Sequence, residues 1–306
     1  MPGLADPPSG DGGARAGDPP RHYLTVASLS PDDFARLISL ARRMKEEPAA
    51  WRRALPGGRL AMIFDKPSTR TRVSFEAAAV NLGMHPLMLR PDELQIGRGE
   101  PPQDTARVLS RMVDAIAWRT FSQARLETFA SHCTIPVLNA LTDEHHPCQA
   151  LADLMTIEET IGSLAGRRLA YIGDGNNVAH SLVEAGALAG MHVVLAVPDG
   201  YDPDPAIVAA ARDRGRQTGA TIEIVRNPAD AARDADRSGS QRSTAGPWRT
   251  VANARRPRGA GGPPPGRRPL RREPRWGTRA RRCRPADWRP RLSRQPAPPD
   301  PARWHR

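Results

Sequence analysis

The sequence predicts an α/β protein with two doubly wound parallel-sheet domains, the second truncated and followed by a disordered Arg/Pro-rich tail. Short apolar runs alternate with longer segments of helical periodicity between residues 21 and 236, an order typical of parallel βαβ units. The alternation starts again after a glycine-containing turn near residue 166, which indicates a second sheet. From Arg237 onward the apolar runs stop.

Four segments follow from this pattern. They are a disordered lead over 1–20, a first domain over 21–155, a partial second domain over 156–236 and a disordered basic tail over 237–306. The boundary between the domains falls in a long helical pattern around 149–160 that continues without a break. The lead contains Pro-Pro and Gly-Gly pairs and has no apolar core region, so it does not resemble a signal peptide.

The elements of the first domain begin with a helix capped by Ser30, with Pro31 in its first position and apolar residues at helical spacing. The expected strands and helices that follow alternate, and in order they are strand 60–64, helix 73–82, strand 85–89, helix 104–113, strand 115–118, helix 126–131 and strand 136–140. A strand, helix, strand order implies parallel pairing, because the helix must carry the chain back to the starting edge.

The second domain repeats this order over fewer elements. They are strand 168–172, helix 178–190, strand 192–197, helix 205–217, strand 221–225 and a capped helix over 228–236. The last helix should lead to a further strand, and the sequence predicts none.

The net charge of +12 is a property of the tail. Residues 237–306 contain 20 Arg, no Lys and three acids, so they carry +17 and leave −5 for the rest. The expected globular part is therefore not a basic nucleic-acid binder. The three cysteines, Cys133, Cys148 and Cys283, lack metal-ligand spacing, and their odd number does not suit a disulfide framework, which favours a reducing cytoplasm. No apolar run approaches the 18 residues of a membrane span.

The most informative segment, 66–76, joins the first strand to the next helix. It places Ser68, Thr69 and Thr71 beside Arg70 and Arg72 at the helix N-terminus. Free backbone N–H groups, the helix dipole and a two-pronged guanidinium all favour an anion there, so phosphate is the expected ligand. The alternative is a plain cap with a solvated basic turn, but arginines in a first turn oppose the dipole.

Three further polar clusters follow predicted strands, where ligands bind in open parallel sheets. They are Arg119, the segment His145–Gln149 and the segment Gly173–Asn177. The imidazole and amide of the second can polarise a carbonyl and hold an amide, although a lone His there is more often structural. The third lacks the last glycine of a dinucleotide-binding turn, and its paired amides suit a small polar ligand or an Asx turn.

Together these motifs resemble the carbamoyltransferases. The matching segments, in order, are Pro67–Arg72 with Ser74–Glu76, Asp104–Arg107 and His146–Gln149. Within that group, Gly173–Val178 and Leu94–Gly97 resemble the ornithine carbamoyltransferases, whereas aspartate carbamoyltransferases usually have lysine near the position of Gln95 and lack the Asn pair. The resemblance covers about residues 23–236.

The resemblance implies a metal-free, cofactor-free enzyme that transfers the carbamoyl group of carbamoyl phosphate to L-ornithine for arginine biosynthesis. The phosphate is expected on Ser68, Thr69, Arg70 and Thr71, with Gln95 reaching in from a neighbouring subunit of a homotrimer. The carbamoyl oxygen is expected among the catalytic residues Arg119, His146 and Thr71. Gln149 would bind the carbamoyl amine, and Asn177 the backbone groups of ornithine.

The chain departs from the family after Asp236. The family's Asp-x-Trp-x-Ser-Met and His-Cys-Leu-Pro segments and its final helix are absent from this sequence. The tail holds only three aliphatic residues larger than alanine, Val251, Leu270 and Leu292, so we expect disorder. Our hypothesis is a reading-frame shift near codon 236, with activity lowered or lost.

Two alternatives remain open. The acceptor could be another amine, such as putrescine or an acetylated ornithine, since the acceptor-reading segment is missing. Alternatively, the tail, in which four Trp are interspersed among the Arg, could bind nucleic acid or another polyanion, although we expect no functional role for such binding and no membrane partner.

Overall fold

A computed structural model describes residues 20–90 and 92–240 of the 306. Most of the expected lead and nearly all of the expected basic tail lie outside these described residues. The first half of the described chain contains α1 (Pro31–Glu46), α2 (Pro48–Trp51), β1 (Arg59–Phe64), α3 (Thr69–Leu82), β2 (His85–Leu89), α4 (Pro102–Leu109), β3 (Ala115–Arg119), α5 (Gln123–Ala130) and β4 (Val137–Leu141). The second half contains α6 (Pro147–Ile161), β5 (Arg168–Ile172), α7 (Asn177–Leu188), β6 (His192–Ala196), α8 (Pro205–Thr218), β7 (Thr221–Val225), α9 (Pro228–Ala232) and β8 (Arg237–Ser240).

The strands form two parallel four-stranded sheets, ordered β2-β1-β3-β4 and β7-β6-β5-β8. This confirms the predicted α/β class. Helix α6 links the sheets and spans the predicted boundary at residue 155. In each sheet the order reverses next to the first strand, so a crevice opens at the carboxyl ends of the strands, where parallel sheets bind ligands.

The expectation that no strand follows the last helix is wrong. β8 pairs with β5 over four residues, from Leu169 opposite Arg237 to Ile172 opposite Ser240. The carboxylate of Asp236 starts this pairing by accepting a hydrogen bond from the backbone N–H of Arg168 at 2.8 Å. The sequence Arg-Ser-Gly-Ser has no apolar pattern, and the strand forms because backbone groups pair whatever the side chains are.

Each sheet packs its own hydrophobic core. In the first domain Trp118 and Phe129, both fully buried, pack edge to face with ring centroids 4.7 Å apart. In the second domain α7 is buried from Ala179 to Leu188. Gly186 allows its close approach to the sheet, because a Cβ there would lie 2.3 Å from Cγ2 of Val193.

Candidate active site

The N-terminus of α3 forms an anion cradle. Ser68 caps the helix in an extended conformation (φ −161°). Its side-chain oxygen accepts a hydrogen bond from the backbone N–H of Thr71, and its hydroxyl donates one to Thr71 Oγ1 at 2.9 Å. The first turn contains no acid, and the Arg70 side chain lies exposed beside the cap. The remaining N–H groups of the turn, with a guanidinium next to them, are therefore suited to bind an anion.

Arg119 ends β3, the strand next to β1 in the sheet. The register with β4 shifts between Trp118 and Arg119, and such a bulge re-aims the side chain that follows it. Burial lowers the pKa of the guanidinium, and Nε has no hydrogen-bond partner within the described part of the chain. A half-buried guanidinium of this kind is suited to bind an oxygen that carries negative charge.

His146 stands at the N-cap position of α6. Its backbone N–H donates to Ser181 Oγ at 2.8 Å, and its Nδ1 is buried with no partner among the described residues. Burial first, and the charge of Arg119 second, lower the pKa of the imidazole to about 4. The ring is therefore neutral near pH 7 and can donate one hydrogen bond without adding charge.

Residues 148 and 149 on the first turn of α6 differ in character. Burial raises the pKa of the Cys148 thiol to about 12, so this cysteine is protonated and is not a nucleophile near pH 7. Gln149 is exposed, and its Nε2 donates to Asp153 Oδ1 at 2.8 Å. This bond uses one N–H of the Gln149 amide and leaves its oxygen available to an N–H donor.

These groups meet in one cleft of about 910 Å³. Six of the residues predicted for the site line it, namely Ser68, Arg70, Thr71, Arg119, His146 and Gln149. The cleft thus brings together an anion cradle from one strand end, a guanidinium from the next and an imidazole from the start of α6.

The other three predicted residues do not line this cleft. Thr69 is the exposed first residue of α3, and Gln95 is exposed on a short 3-10 helix, Gln95–Arg98. Asn177 starts α7, and its Nδ2 donates to the backbone carbonyl of Thr142 at 2.6 Å. Asn177 therefore connects the second domain to the first.

The turn before α7 has a structural role that the sequence left open. The side chain of Asn176 caps α7 by accepting from the N–H groups of Val178 and Ala179, at 3.0 and 3.4 Å. A Cβ on Gly175 would lie 2.2 Å from the backbone nitrogen of Pro203. Asn176 is thus an N-cap, and Gly175 permits the close approach of the next loop.

Sequence reasoning missed several residues of the cleft. Tyr171 lines it from β5, where its position in an apolar run indicated only a core residue, and its hydroxyl donates to the carbonyl of Asp174 at 2.9 Å. Arg237, Ser238 and Gly239 also line it, although the sequence placed them in the tail. The only available signal was the capped helix before them, which needs a following strand to complete the βαβ order.

Within residues 20–90 and 92–240, no group of three or more His, Cys, Asp or Glu side chains is arranged to hold a metal ion. In the same ranges no helix is both long and apolar enough to cross a bilayer.

Two family models match the chain. The carbamoyl-phosphate-binding domain of the aspartate/ornithine carbamoyltransferases matches residues 21–159, and the Asp/Orn-binding domain of the same family matches residues 165–238. The chain belongs to this family. The second match ends two residues after Asp236, close to the departure found in the sequence.

Several relatives of this family member are named ornithine carbamoyltransferase. The chain is 55% identical over 217 residues to the enzyme named so from Acidothermus cellulolyticus, covering 71% of this chain and 69% of the relative. It is 53% identical over 218 residues to that of Mycobacterium ulcerans, covering 71% and 70%. The solved structure of ornithine carbamoyltransferase from Pyrococcus furiosus superposes with a TM-score of 0.70 at 44% identity, over 72% of each chain.

Proposed function

We propose that the cleft transfers the carbamoyl group of carbamoyl phosphate to the δ-amine of L-ornithine, giving L-citrulline and phosphate. The observation that carries the proposal is the meeting of the α3 anion cradle, Arg119 and a neutral His146 in one cleft. This donor set matches a substrate that has both a phosphate group and a carbonyl oxygen.

The phosphate group would bind at the start of α3. Its oxygens would accept hydrogen bonds from backbone N–H groups, including that of Thr69, from the hydroxyls of Ser68 and Thr71, and from the guanidinium of Arg70. Gln95 is exposed and lies outside this cleft, at the surface, where it can act on the cleft of another subunit. We propose that it does so in a homotrimer. Val73 and Val80, exposed one above the other on α3, are suited to such an interface.

The carbonyl oxygen would lie among Arg119, His146 and the hydroxyl of Thr71. As the amine attacks, the carbonyl carbon becomes tetrahedral and negative charge grows on this oxygen. Arg119 supplies a fixed positive charge, and the neutral imidazole adds a hydrogen bond. Because both are already held in place, they need little reorganisation when the charge appears.

The reaction balances with the two substrates alone. The neutral δ-amine forms the new C–N bond, the bond between the carbonyl carbon and the bridging phosphate oxygen breaks, and the amine loses one proton to the leaving phosphate or to water. The oxygen of the Gln149 amide would hold the NH₂ of the carbamoyl group, and the second N–H and oxygen of the Asn177 amide would contact the backbone groups of ornithine. We propose no metal and no cofactor.

We place this reaction in arginine biosynthesis in the cytoplasm. We also retain the hypothesis that a frame shift near codon 236 has replaced the acceptor-reading segments, which would lower or abolish turnover. Translating the gene in its other two frames tests this. The hypothesis fails if neither frame contains Asp-x-Trp-x-Ser-Met and His-Cys-Leu-Pro.

The function itself is tested by incubating the full chain with carbamoyl phosphate and ornithine and measuring citrulline. Where the wild type forms citrulline, we expect a loss of roughly a hundredfold in Arg119→Ala. Arg72→Ala is the matched control, because Arg72 is exposed on α3 and does not line the cleft. Putrescine and acetylated ornithine are tested in parallel as acceptors. If the protein turns over either of them faster than ornithine, that amine is the acceptor instead.

Binding separates a broken acceptor site from a wrong assignment. If citrulline is absent but inorganic phosphate still binds in an Arg70-dependent manner, the carbamoyl-phosphate half of the site is supported and the acceptor half is lost. If phosphate does not bind at all, the proposed function fails.

A further inference from the structure

Helix α7 of the second domain presents a polar face to the loop that carries His146. Its members occupy positions i, i+3, i+4 and i+7, so they lie on one side of the helix, and they are Asn177, His180, Ser181 and Glu184. The last three are almost completely buried. A buried polar face on a helix needs partners, and here the partners lie in the loop 142–146.

Each member of the polar face contacts a different residue of that loop. Asn177 Nδ2 donates to the carbonyl of Thr142 at 2.6 Å, and His180 Nδ1 lies 2.8 Å from the carbonyl of Glu144. Ser181 Oγ accepts the N–H of His146 at 2.8 Å. Glu184 Oε1 lies 3.5 Å from Nδ1 of His145.

The tautomer of His180 follows from its two contacts. The backbone N–H of Asp204 lies 2.9 Å from Nε2 and can only donate, so Nε2 is the acceptor and the proton is on Nδ1. Nδ1–H therefore donates to the carbonyl of Glu144. Burial lowers the pKa of His180 and so favours the neutral ring that both contacts require.

The first domain holds the other end of the same loop. Thr142 Oγ1 donates to Gln123 Oε1 at 2.9 Å, and the N–H of Asp143 donates to the carbonyl of Phe121 at 2.8 Å. The carboxylate of Glu144 accepts the N–H of Gln123 at 3.1 Å. The amide of His146, by contrast, is held from the second domain by Ser181.

We propose that Ser181 and His180 are positioning residues for carbamoyl transfer, holding the backbone at residues 146 and 144 so that the His146 imidazole is directed into the cleft. This inference rests on the proposed function and deepens it. Without the Ser181 hydroxyl, the half-buried N–H of His146 loses its acceptor, and such a group draws in water or moves. The imidazole then shifts from its place, and small displacements of a catalytic group cost large factors in rate.

The first test is Ser181→Ala in the full chain, read by NMR titration of His146. A loosened loop admits water to the imidazole, so we expect its pKa to rise from about 4 by at least one unit toward the ordinary value of 6.5. Turnover should fall by roughly tenfold or more, with a small change in the KM for carbamoyl phosphate.

Thr218→Ala is the matched control. The Thr218 hydroxyl donates to the carbonyl of Ala187 near the other end of α7, at 2.5 Å, so its loss removes one hydrogen bond from the same helix without touching the loop. A similar loss of stability with an unchanged His146 titration would show that the Ser181 effect is local.

His180 offers a sharper pair of variants. Asn at position 180 places its amide N–H where Nδ1 donates to Glu144, whereas Gln reaches the Nε2 position near Asp204. We expect His180→Asn to keep most of the turnover and the low pKa of His146, and His180→Gln to lose both.

The outcomes are distinct. A folded Ser181→Ala with unchanged His146 titration and unchanged turnover overturns the positioning role, as does His180→Gln performing as well as His180→Asn. If the wild type makes no citrulline and binds no phosphate but Ser181→Ala still raises the pKa of His146, the contact with Ser181 does hold the imidazole in place and the proposed function is what fails.

Discussion

Burial and the guanidinium of Arg119 together lower the pKa of His146 to about 4. The two side chains start from different elements, the end of β3 and the N-cap of α6, and both line the cleft. Burial first, and the cationic partner second, keep the imidazole neutral, so the pair offers one charge and one neutral donor instead of two repelling cations. The stability and chemistry of the site should therefore change with pH.

Stability should fall on acidification because of His146. The unfolded ring binds a proton near pH 6.5 and the folded ring only near pH 4, so between these values the unfolded state holds more protons. The contribution is fully present above pH 6.5 and is lost as the pH falls toward 4. Between pH 7 and pH 4 this site lowers the unfolding free energy by about 3 kcal/mol.

Urea unfolding at both pH values measures this effect. In His146→Gln the site no longer titrates, so the difference between the two pH values should shrink by about the same amount. Equal differences in wild type and variant would mean that the imidazole titrates normally in the folded state.

Arg70 should determine phosphate affinity. Removing one charge-assisted hydrogen bond costs about 1.5–3 kcal/mol, so Arg70→Ala should weaken the binding of inorganic phosphate by roughly tenfold to a hundredfold. Calorimetric titration gives the dissociation constants. Arg72→Ala removes the same charge from the same helix outside the cleft and should change the constant by less than about threefold, so equal losses in both variants would indicate general charge attraction only.

Ser68 should contribute to both stability and binding. Ser68 is the N-cap of α3, so Ser68→Ala should lower the free energy of unfolding by about 1 kcal/mol. Phosphate should also bind less tightly, because a hydroxyl donor is lost. Ser122 caps α5 in the same way, accepting from the N–H of Arg125 at 3.2 Å, but does not line the cleft. Ser122→Ala should match the loss of stability and leave phosphate binding unchanged. If Ser68→Ala also leaves phosphate binding unchanged, the cap has no role in the cradle.

Gly175 should not accept a larger side chain. Its added Cβ would lie 2.2 Å from the nitrogen of Pro203, a backbone atom that cannot rotate away, so Gly175→Ala should destabilise the protein by about 1–3 kcal/mol. At Gly239 an added Cβ meets nothing within 4 Å, and Gly239→Ala should lie within about 0.5 kcal/mol of the wild type. Thermal unfolding of the two variants provides the comparison. A stable Gly175→Ala would show that the loop at residue 203 can move.

The α3 cradle could be predicted from sequence because it is local. Ser68 and Thr71 are three residues apart, and a helix start places the cap hydroxyl and the N–H of the first turn together without help from the rest of the chain. The fold class was equally accessible, since the alternation of strand and helix patterns constrains a parallel sheet. The roles of Arg119 and His146 were expected from a family resemblance, and local pattern alone left His146 open.

Other features depended on contacts that are distant in sequence. Asn176 and Asn177 are adjacent and chemically identical, yet one caps α7 and the other reaches Thr142, 35 residues away. β8 has no strand pattern and exists because β5 offers it a free edge. Neither the different roles of the two asparagines nor the pairing of β8 can be derived from residue type. Each is decided by the group that folding places next to the side chain or backbone.

The order of residues thus determined the α/β class, the capped and acid-free start of α3 and the change of character near Asp236, because hydrophobic periodicity, capping and composition act over a few residues. The tertiary structure alone decided that the imidazole of His146 is neutral, that Ser181 holds its amide and that Tyr171 and Arg237 border the same cleft. The reason is physical: pKa values and the pairing of buried polar groups depend on desolvation and on charges and donors brought close by folding, and sequence separation carries no information about these.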